Sequence, residues 1–454
     1  MTSTDWWGAE LLDAIDPAAI TARGANTVTA CRFRAEVSRM VKLLARLGVK
    51  SGSTVAVHGT ASFTQLWSLF AIWELGAQAF LAEAHVSQAD LVRALGQDRP
   101  QFHLTIGAVP RLRQVFADEC QVLVRRDPAG TPARTNHCLV QLSSGTTGPV
   151  KPAGRTAASL LMELDRMTEL PGMPVAGDTV LLLESPARSF GLIGGVLHAM
   201  NVGATMAFCP NPRPDLVLAA LSAADVLIAA PHHIETLAEL PALPGRLRVA
   251  LSGGEVLPNR VAHRFANRHG VPVGQAYGTT ETGLVAADLH GEHAPAVGRP
   301  VPGLRTRVVA GTLQVRLPES PYLVANAANR GGWFDTRDLV HQDSRSGVLR
   351  LLGRAGGAGM DADVDLLAIE RALRDHGLIR EAVVLGGADM VEAHIAGPGL
   401  FTANDMAAWC RGRLGSAPPP IRLHVLPTLP RTANGKLLRD PERLQAYRVL
   451  AAGR

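Results

Sequence analysis

Hydroxyl and glycine residues crowd a short stretch that follows an apolar run, within residues 139–151. The apolar run predicts a buried strand. Glycines let the backbone turn with positive φ and approach a ligand closely. Hydroxyl groups, exposed backbone N–H groups and a lysine together can bind a polyphosphate, although the spacing is not that of the common P-loop. The residues of this predicted phosphate loop are Ser143, Ser144, Gly145, Thr146, Thr147, Gly148 and Lys151.

Four later stretches favour a nucleotide site over the alternative of a plain surface loop. They are Gln275–Gly283, Phe334–Leu339, Gly353–Arg354 and Leu429–Arg439. In this order, they and the phosphate loop resemble the motifs of the adenylate-forming enzymes, which include acyl-CoA synthetases, nonribosomal peptide adenylation domains and luciferases. The resemblance extends over nearly the whole chain. In the phosphate loop, Val150 and Pro152 depart from the usual Pro and Gly, so a stiffer exit from the loop is expected.

The second motif supplies the residue types that a bound nucleotide needs. Tyr277 offers a flat face for a purine, and the resemblance implies that Thr280 bonds the α-phosphate. Glu281 provides the hard carboxylate oxygen that Mg²⁺ prefers. A strand-end turn with a solvated glutamate is the alternative. The resemblance also implies nucleotide contacts from neighbouring residues of this motif and of an upstream Gly-Gly-Glu turn, namely Ala276, Gly278, Thr279, Gly253, Gly254 and Glu255.

Three charged residues complete the implied nucleotide site. Asp338 matches the aspartate that accepts hydrogen bonds from both ribose hydroxyls, because one carboxylate can accept from a vicinal diol. Arg354 matches an arginine that contacts ribose and phosphate. Lys436 matches the lysine that holds the attacking oxyanion and the α-phosphate, where a fixed charge is worth most in the transition state. Each could instead be a solvated surface residue.

The predicted substrate pocket is less well specified by the sequence. Arg188 stands where the family usually has histidine, and it could pair with an anionic substrate or make a structural salt bridge. Phe190 and His232 are the other predicted substrate contacts. After Arg354 the usual hinge pattern is lost, with Gly356, Met360 and Asp363 at its key positions. That loss leaves adenylation untouched and puts transfer to CoA in doubt.

Bulk composition excludes several other classes of protein. The 454 residues suggest two or three domains, and a net charge of +5 without a basic stripe argues against nucleic-acid binding. The five cysteines are scattered, which is typical of reduced thiols and not of a disulfide frame or a zinc site. We expect neither a signal peptide nor a membrane span, and therefore a cytoplasmic enzyme.

Alternating strand and helix patterns predict an α/β fold with mostly parallel sheets. Predicted helices include residues 35–49 and Gln65–Leu75, and predicted strands include Thr54–His58, Ala77–Ala82, Thr179–Leu183, Thr205–Phe208, Val226–Ala229 and Val249–Leu251. Residues 125–136 read as a polar loop. The predicted domains are a large N-terminal unit at 1–352, a hinge at 353–358 and a small mobile α+β unit at 359–454.

These features predict adenylation of an acid with ATP and Mg²⁺, followed by transfer to a nucleophile. The first hypothesis is a carboxylic acid passed to CoA or a carrier thiol. The second is transfer to an amine, as in amide ligases and in ATP-dependent diazotases that adenylate nitrite and pass it to an aryl amine. The third is a non-catalytic nucleotide-binding scaffold, which Glu281 and Lys436 argue against. No nucleic-acid or membrane partner is expected.

Overall fold

The computed structural model of the chain describes most of its length. The described residues are 6–107, 116–143, 145, 150–242, 245–323, 331–355, 364–387, 390–415, 418–432 and 436–452, with residues 88, 89, 451 and 452 described by backbone only.

The described residues form strands and helices that alternate along most of the chain. The strands are β1 (Ile20–Arg23), β2 (Thr27–Thr29), β3 (Thr54–Gly59), β4 (Gln78–Leu81), β5 (Phe102–Ile106), β6 (Val122–Arg126), β7 (His137–Leu142), β8 (Pro152–Thr156), β9 (Thr179–Leu182), β10 (Thr205–Phe208), β11 (Val226–Ala229), β12 (Val249–Gly253), β13 (Val273–Thr279), β14 (Gly283–Asp288), β15 (Arg299–Pro300), β16 (Thr306–Val309), β17 (Thr312–Arg316), β18 (Trp333–Gln342), β19 (Leu349–Arg354), β20 (Glu381–Gly386), β21 (Val391–Ala396) and β22 (Ile421–Leu426).

The helices are α1 (Ala9–Asp13), α2 (Ala30–Arg46), α3 (Phe63–Glu74), α4 (Gln88–Leu95), α5 (Ala157–Thr168), a π-helix (Phe190–Leu197) that runs into α6 (His198–Val202), α7 (Pro214–Ser222), α8 (Pro231–Glu239), α9 (Asn259–His269), α10 (Leu366–Arg374), α11 (Ala403–Leu414) and α12 (Pro441–Ala452). Among the described residues, no helix combines the length and the apolar character that crossing a bilayer requires.

Two large sheets with parallel centres confirm the predicted α/β class. The nine-stranded sheet has the order β15-β14-β13-β12-β11-β9-β10-β1-β2, and the six-stranded sheet has the order β6-β5-β3-β4-β7-β8. The inner pairs of both sheets are parallel, and antiparallel strands close their edges. The phosphate loop follows β7, and the predicted Gly-Gly-Glu turn follows β12, so both leave the carboxyl ends of parallel strands, where α/β proteins bind ligands.

The main core lies between these two sheets and surrounds α3. Eleven of the twelve residues of α3 are buried, as expected for a helix that is apolar on every side. One continuous cluster joins α3 to side chains of both large sheets, among them Val57 and Met206. This packing holds the ends of β7 and β12 in fixed relation.

A separate antiparallel sheet, β16-β17-β18-β19, carries two of the predicted site residues. Asp338 on β18 and Arg354 on β19 are register partners, which places their side chains side by side. Gly353 and Arg354, assigned to the hinge from the sequence, are thus the last two residues of a paired strand. The rest of the predicted hinge except Ala355 lies outside the described residues, and the proposed boundary at 352 remains a prediction.

The C-terminal part forms a smaller sheet, β20-β21-β22, as predicted. One face packs on α10 and α11 through a cluster that includes Leu373 and Cys410. The other face packs on α12 and the chain around Leu437.

Three local predictions need correction. Helix α2 begins at Ala30 and not at 35, because the Thr29 side chain accepts a hydrogen bond from the Arg32 N–H and caps it. The apolar periodicity of residues 35–49 includes Leu43 and Leu47 and predicts that they are buried, but both are exposed, whereas Phe33, outside that range, is buried. The predicted loop at 125–136 begins too early, because residues 125 and 126 pair with β5 as the end of β6.

Candidate active site

A cleft of about 2350 Å³ lies between the N-terminal sheets and the small C-terminal domain. Its lining includes residues from all five motifs, and these residues come from both the N-terminal part and the small C-terminal domain. From the predicted set it contains Ser143, Gly145, Lys151, Arg188, Phe190, His232, Gly253, Gly254, Glu255, Ala276, Tyr277, Gly278, Thr279, Thr280, Glu281, Asp338, Arg354 and Lys436. The motifs are therefore neighbours in space, although almost 300 residues separate the first from the last.

The two ends of the phosphate loop are fastened together. The Ser143 N–H donates to the Lys151 carbonyl at 2.8 Å, and the Lys151 N–H donates to the Ser143 hydroxyl at 2.9 Å. Gly145 has a φ of +61°, which favours glycine. Lys151 is exposed to the cleft side of the loop. The predicted contacts Ser144, Thr146, Thr147 and Gly148 lie outside the described residues.

Asp338 is buried at the centre of a hydrogen-bonded group. The Tyr277 hydroxyl donates to its Oδ2 at 2.7 Å, and Arg354 Nε lies 3.5 Å from its Oδ1. Burial, reinforced by the Asp338 charge, raises the pKa of Tyr277 well above its ordinary value, so its proton remains on the hydroxyl. Each carboxylate oxygen keeps a second acceptor direction for a ribose hydroxyl.

Tyr277 is more enclosed than the sequence predicts. Its side chain is 8% exposed and packs with Val285 and Leu313 in a small core behind the cleft. Little of its ring is open to a purine, while its hydroxyl orients Asp338. Stacking on adenine remains a prediction, and the geometry adds a second task for the same residue.

Glu281 lies beside Tyr322, which the sequence did not single out. Burial, together with the nearby Glu281 carboxylate, raises the pKa of Tyr322 to about 12, so its hydroxyl stays protonated. A carboxylate and a neutral hydroxyl are oxygen donors of the kind that Mg²⁺ accepts. Glu281 therefore has the donor chemistry to hold a magnesium ion, which would neutralise charge on a bound triphosphate. Thr280, the residue before it, is half-buried on the same turn.

Glycines in the second motif allow this turn to lie close to neighbouring segments of the protein. A Cβ on Gly278 would lie 2.2 Å from the carbonyl oxygen of Gly283, and one on Gly283 would lie 2.1 Å from Glu163 Oε2. Glu163 in turn accepts a hydrogen bond from the Leu284 N–H at 2.7 Å and pairs with the buried Arg155. Glu163 and Arg155 thus hold in place the turn that carries Thr280 and Glu281.

Lys436 crosses from the small domain to the Gly-Gly-Glu turn. Its Nζ donates to the Gly254 carbonyl at 2.7 Å, beside Glu255. Burial lowers the pKa of Lys436 below its ordinary value of 10.5, and the nearby Glu255 opposes this effect only in part. The ammonium group therefore reaches the cleft with less hydration than a surface lysine has, and its contact with the α-phosphate remains a prediction.

Arg188 makes structural ion pairs, which were one of the two alternatives predicted for it. Its Nε lies 2.9 Å from Glu83 Oε2 and its Nη1 lies 3.1 Å from Glu184 Oε1, and all three side chains are at most 12% exposed. Burial alone would lower the pKa of Arg188, but the two carboxylates raise it above the ordinary value. The guanidinium lines the cleft at the same time, so contact with a substrate remains a prediction.

Phe190 and His232 also line the cleft. Phe190 begins the π-helix, and its ring packs so closely on Gly253 that a Cβ there would lie 2.7 Å away. His232 lies in the first turn of α8, and its ring centroid is 3.9 Å from that of His233. Burial lowers the pKa of His233 to about 3, so that ring is neutral. Substrate contacts from Phe190 and His232 remain predictions.

Four cleft residues were missed by reasoning from sequence: Glu83, Glu184, Tyr322 and Arg443. None belongs to a motif. Glu83 follows a strand end and Glu184 lies four residues before Arg188, a spacing that could have suggested an ion pair. No local signal marks Tyr322 or Arg443, because their partners lie far away along the chain.

A protein-family profile described as "AMP-binding enzyme" matches residues 14–319. Among curated relatives, the p-hydroxybenzoic acid–AMP ligase FadD22 of Mycobacterium tuberculosis is 27% identical over 93% of this chain and 66% of its own length. The benzoate–CoA ligase of Thauera aromatica is 27% identical over 67% of this chain and 65% of its own length. This chain thus spans about two thirds of these relatives. A probable 2-succinylbenzoate–CoA ligase of M. tuberculosis is 32% identical over 66% of this chain and 82% of its own length.

Solved structures share the fold over almost the whole chain. The O-succinylbenzoate coenzyme A synthetase MenE of Bacillus subtilis, in complex with ATP and magnesium ion, has a TM-score of 0.80 at 22% identity and covers 97% of this chain and 99% of its own. The amide bond synthetase Mcba of Marinactinospora thermotolerans has a TM-score of 0.76 at 20% identity and covers 97% of this chain and 98% of its own.

Proposed function

Because the chain belongs to the AMP-binding enzyme family, within the adenylate-forming superfamily, we propose that it is an AMP-forming ligase that activates an acid with ATP. One observation carries the proposal. Lys436 of the small domain reaches the Gly254 carbonyl in the cleft that Glu281 and Asp338 also line. A scaffold that only bound a nucleotide would not need this lysine brought across the domain gap.

In the proposed reaction an acid oxygen attacks the α-phosphorus of ATP and pyrophosphate leaves. Asp338 accepts hydrogen bonds from the ribose, and its orientation is fixed by Tyr277. The phosphate loop and Lys151 hold the β- and γ-phosphates. Thr280 and Lys436 donate to the α-phosphate oxygens as charge shifts there, so the site acts by positioning and charge neutralisation. Mg²⁺ held by Glu281 would neutralise charge on the triphosphate.

For the acid, we propose an aryl carboxylate as the first class to test. The curated relatives are named for p-hydroxybenzoic acid, benzoate and 2-succinylbenzoate. The ring of Phe190 against Gly253 gives the cleft one flat apolar wall near Lys436. CoA is the acceptor in the names of two of these relatives, and transfer to CoA is the first candidate for the second step.

A specific charge imbalance favours a second candidate, in which the acceptor is an amine. The Arg188, Glu83 and Glu184 side chains are at most 12% exposed at the cleft wall, and Glu255 and Lys436 lie within electrostatic reach of them. Arg439 also lies within reach of Glu255, so among the described residues three carboxylates face three cations. Once Lys436 turns to the α-phosphate, two of these cations remain beside the three carboxylates. An amine donates N–H groups and suits such a site better than another anion does.

The amine candidate includes ATP-dependent diazotisation. A nitrite oxygen would attack the α-phosphorus, and the amine nitrogen of an aryl amine would then attack the nitrite nitrogen and release AMP. Arg188 could hold the small anion in the first step. The changed hinge positions Gly356, Met360 and Asp363 favour this candidate by the sequence argument, although they lie outside the described residues.

One experiment separates these candidates. Pyrophosphate release is measured with ATP and Mg²⁺ over a panel of aryl acids, short acids and nitrite, and products are identified with CoA, with aryl amines and with neither. An acid that releases pyrophosphate and yields a thioester supports the CoA acceptor, and an amide or diazo product supports the amine. Failure of the whole panel to release pyrophosphate would overturn the proposed ligase.

A further inference from the structure

Three potential metal ligands lie together in the small domain, away from the cleft residues described above. Glu392 and His394 are two residues apart on β21, so their side chains share one face of the sheet. His424 on β22 is the register partner of His394. The opposite face carries the apolar residues that pack on α10 and α11. The three side chains therefore face α12.

The ligand atoms already approach the spacing of a metal site. Glu392 Oε2 lies 3.8 Å from His394 Nε2 and 3.9 Å from His424 Nε2. One donor atom from each residue can be chosen so that all three lie within 4.8 Å of one another. Ligands on a tetrahedral Zn²⁺ at its usual bond lengths are about 3.4 Å apart. Small side-chain rotations would close that difference.

His394 is a buried polar side chain without a hydrogen-bond partner among the described residues, and a bound metal would give one ring nitrogen a partner. Its side chain is 1% exposed, and within the described part of the chain neither ring nitrogen has a hydrogen-bond partner. A buried polar group without a partner carries a desolvation cost. A neutral imidazole offers a ring nitrogen with a lone pair to a metal ion.

The carboxylate is oriented by a neighbour outside the cluster. Arg422 Nη1 donates to Glu392 Oε1 at 3.1 Å, which leaves Oε2 directed at the two rings. Outer partners of this kind fix the orientation of metal ligands. We propose that Glu392, His394 and His424 bind a divalent transition metal ion, for which Zn²⁺ is the best chemical match, with water as the fourth ligand.

Arg448 of α12 competes for this site. Its Nη1 lies 3.1 Å from His424 Nε2, so the guanidinium occupies the direction from which a metal would approach that nitrogen. A metal and Arg448 cannot both use the lone pair. The side chain is long and starts from the last helix, so it can withdraw without disturbing the sheet. Metal binding and the Arg448 contact are therefore mutually exclusive.

The test uses chelator-treated full-length protein with its thiols alkylated. Calorimetric titration with Zn²⁺, and the visible absorption of Co²⁺, are expected to show one equivalent bound with a tetrahedral spectrum. His394→Gln and His424→Gln should each abolish this binding, and Arg422→Ala should weaken it by about 10–100-fold. Arg448→Ala should tighten it by about tenfold or more, because a competing cation is removed.

The matched control is His341→Gln, which removes an exposed histidine of β18 and should leave binding unchanged. Pyrophosphate exchange or, for an inactive protein, the far-UV circular dichroism spectrum checks that each variant is folded. The proposal is overturned if wild type and Arg448→Ala both bind no more metal than folded His394→Gln does. It is also overturned if the Co²⁺ spectrum is octahedral in every variant.

Discussion

Lys436 is the residue at which the loss of one charge should cost most. It reaches the cleft from the small domain and has few other tasks there beyond its bond to Gly254. Lys436→Ala is expected to slow acid adenylation by about 10²–10³-fold, because preorganised charge acts mainly on the transition state. The KM for ATP should change much less. ATP–pyrophosphate exchange measures both.

Lys42→Ala on α2 is the matched control, because it removes an exposed lysine from the opposite part of the chain. It should leave exchange unchanged. A Lys436→Ala enzyme that kept more than a tenth of wild-type exchange would show that Lys436 has no catalytic charge to contribute. A variant that failed to fold would be recognised by its lost cooperative melting transition.

The pH dependence of adenylation should report the same ammonium group. Burial lowers the pKa of Lys436 below 10.5. Its charge, and the stabilisation that depends on it, is complete at low pH and disappears as the pH rises through that lowered pKa. We therefore expect kcat/KM for ATP to fall on the alkaline side at a pH below 10.5, since this ratio reports the free enzyme.

Lys436→Arg gives the discriminating profile. An arginine keeps its charge far above the lysine range, so any activity that the variant retains should show the alkaline fall at higher pH. If the fall stays where it was in wild type, another group is responsible for it.

At the scale of single residues, the sequence predicts residues that lie in motifs but not the distant residues with which they form ion pairs and hydrogen bonds. Lys436, Asp338 and Glu281 were found because short spacings mark them. Arg188 and Glu83 form an ion pair although they are 105 positions apart, and the sequence around neither residue indicates the other as its partner. Tyr277 was assigned a stacking face, yet its hydroxyl bond to Asp338 depends on the contact between two sheets, which no local pattern encodes.

At the scale of elements, the turn between β13 and β14 depends on a glycine. Gly283 has a φ of +69°, and a Cβ there would lie 2.1 Å from Glu163 Oε2. Gly283→Ala should therefore destabilise the protein by about 3–4 kcal/mol, because it adds a clash to the cost of a left-handed alanine. It should also slow adenylation, since Thr280 and Glu281 lie on this turn. Chemical denaturation and ATP–pyrophosphate exchange measure the two effects.

Gly270→Ala separates backbone strain from the clash. Gly270 ends α9 with a φ of +73°, and nothing lies within 4 Å of its added Cβ. Its replacement should cost about 1–2 kcal/mol and leave adenylation unchanged. Equal losses of stability in the two variants would mean that the Glu163 contact contributes nothing.

Element boundaries were predictable where apolar periodicity alone decides them. The strands of the parallel centres match within one or two residues, because burial on both faces leaves a continuous apolar run. Helix α2 was misplaced because its start is set by the Thr29 cap, and its buried face by contact with α3. The π-helix at Phe190–Leu197 has no sequence periodicity of its own.

At the scale of the whole molecule, the small domain meets the large one where α10 packs on β19, with Arg350 3.8 Å from Asp365, and also at the cleft. Lys436 reaches Gly254, and Arg443 Nη1 donates to the Gly145 carbonyl of the phosphate loop at 3.4 Å. The order of the motifs predicted a two-part enzyme with a cleft between the parts. It could not predict how the parts touch, because that depends on the orientation of α12.

The contact from Arg443 gives the last prediction. If it helps to hold the domain over bound ATP, Arg443→Ala should lower kcat/KM in ATP–pyrophosphate exchange by about 2–10-fold, the value of one long hydrogen bond of about 0.5–1.5 kcal/mol. The melting temperature should hardly change, because Arg443 lies outside both small-domain cores. Arg411→Ala, which removes an exposed arginine from α11, is the control and should leave exchange unchanged. An Arg443→Ala enzyme with wild-type exchange would mean that α12 does not contribute to closing the cleft.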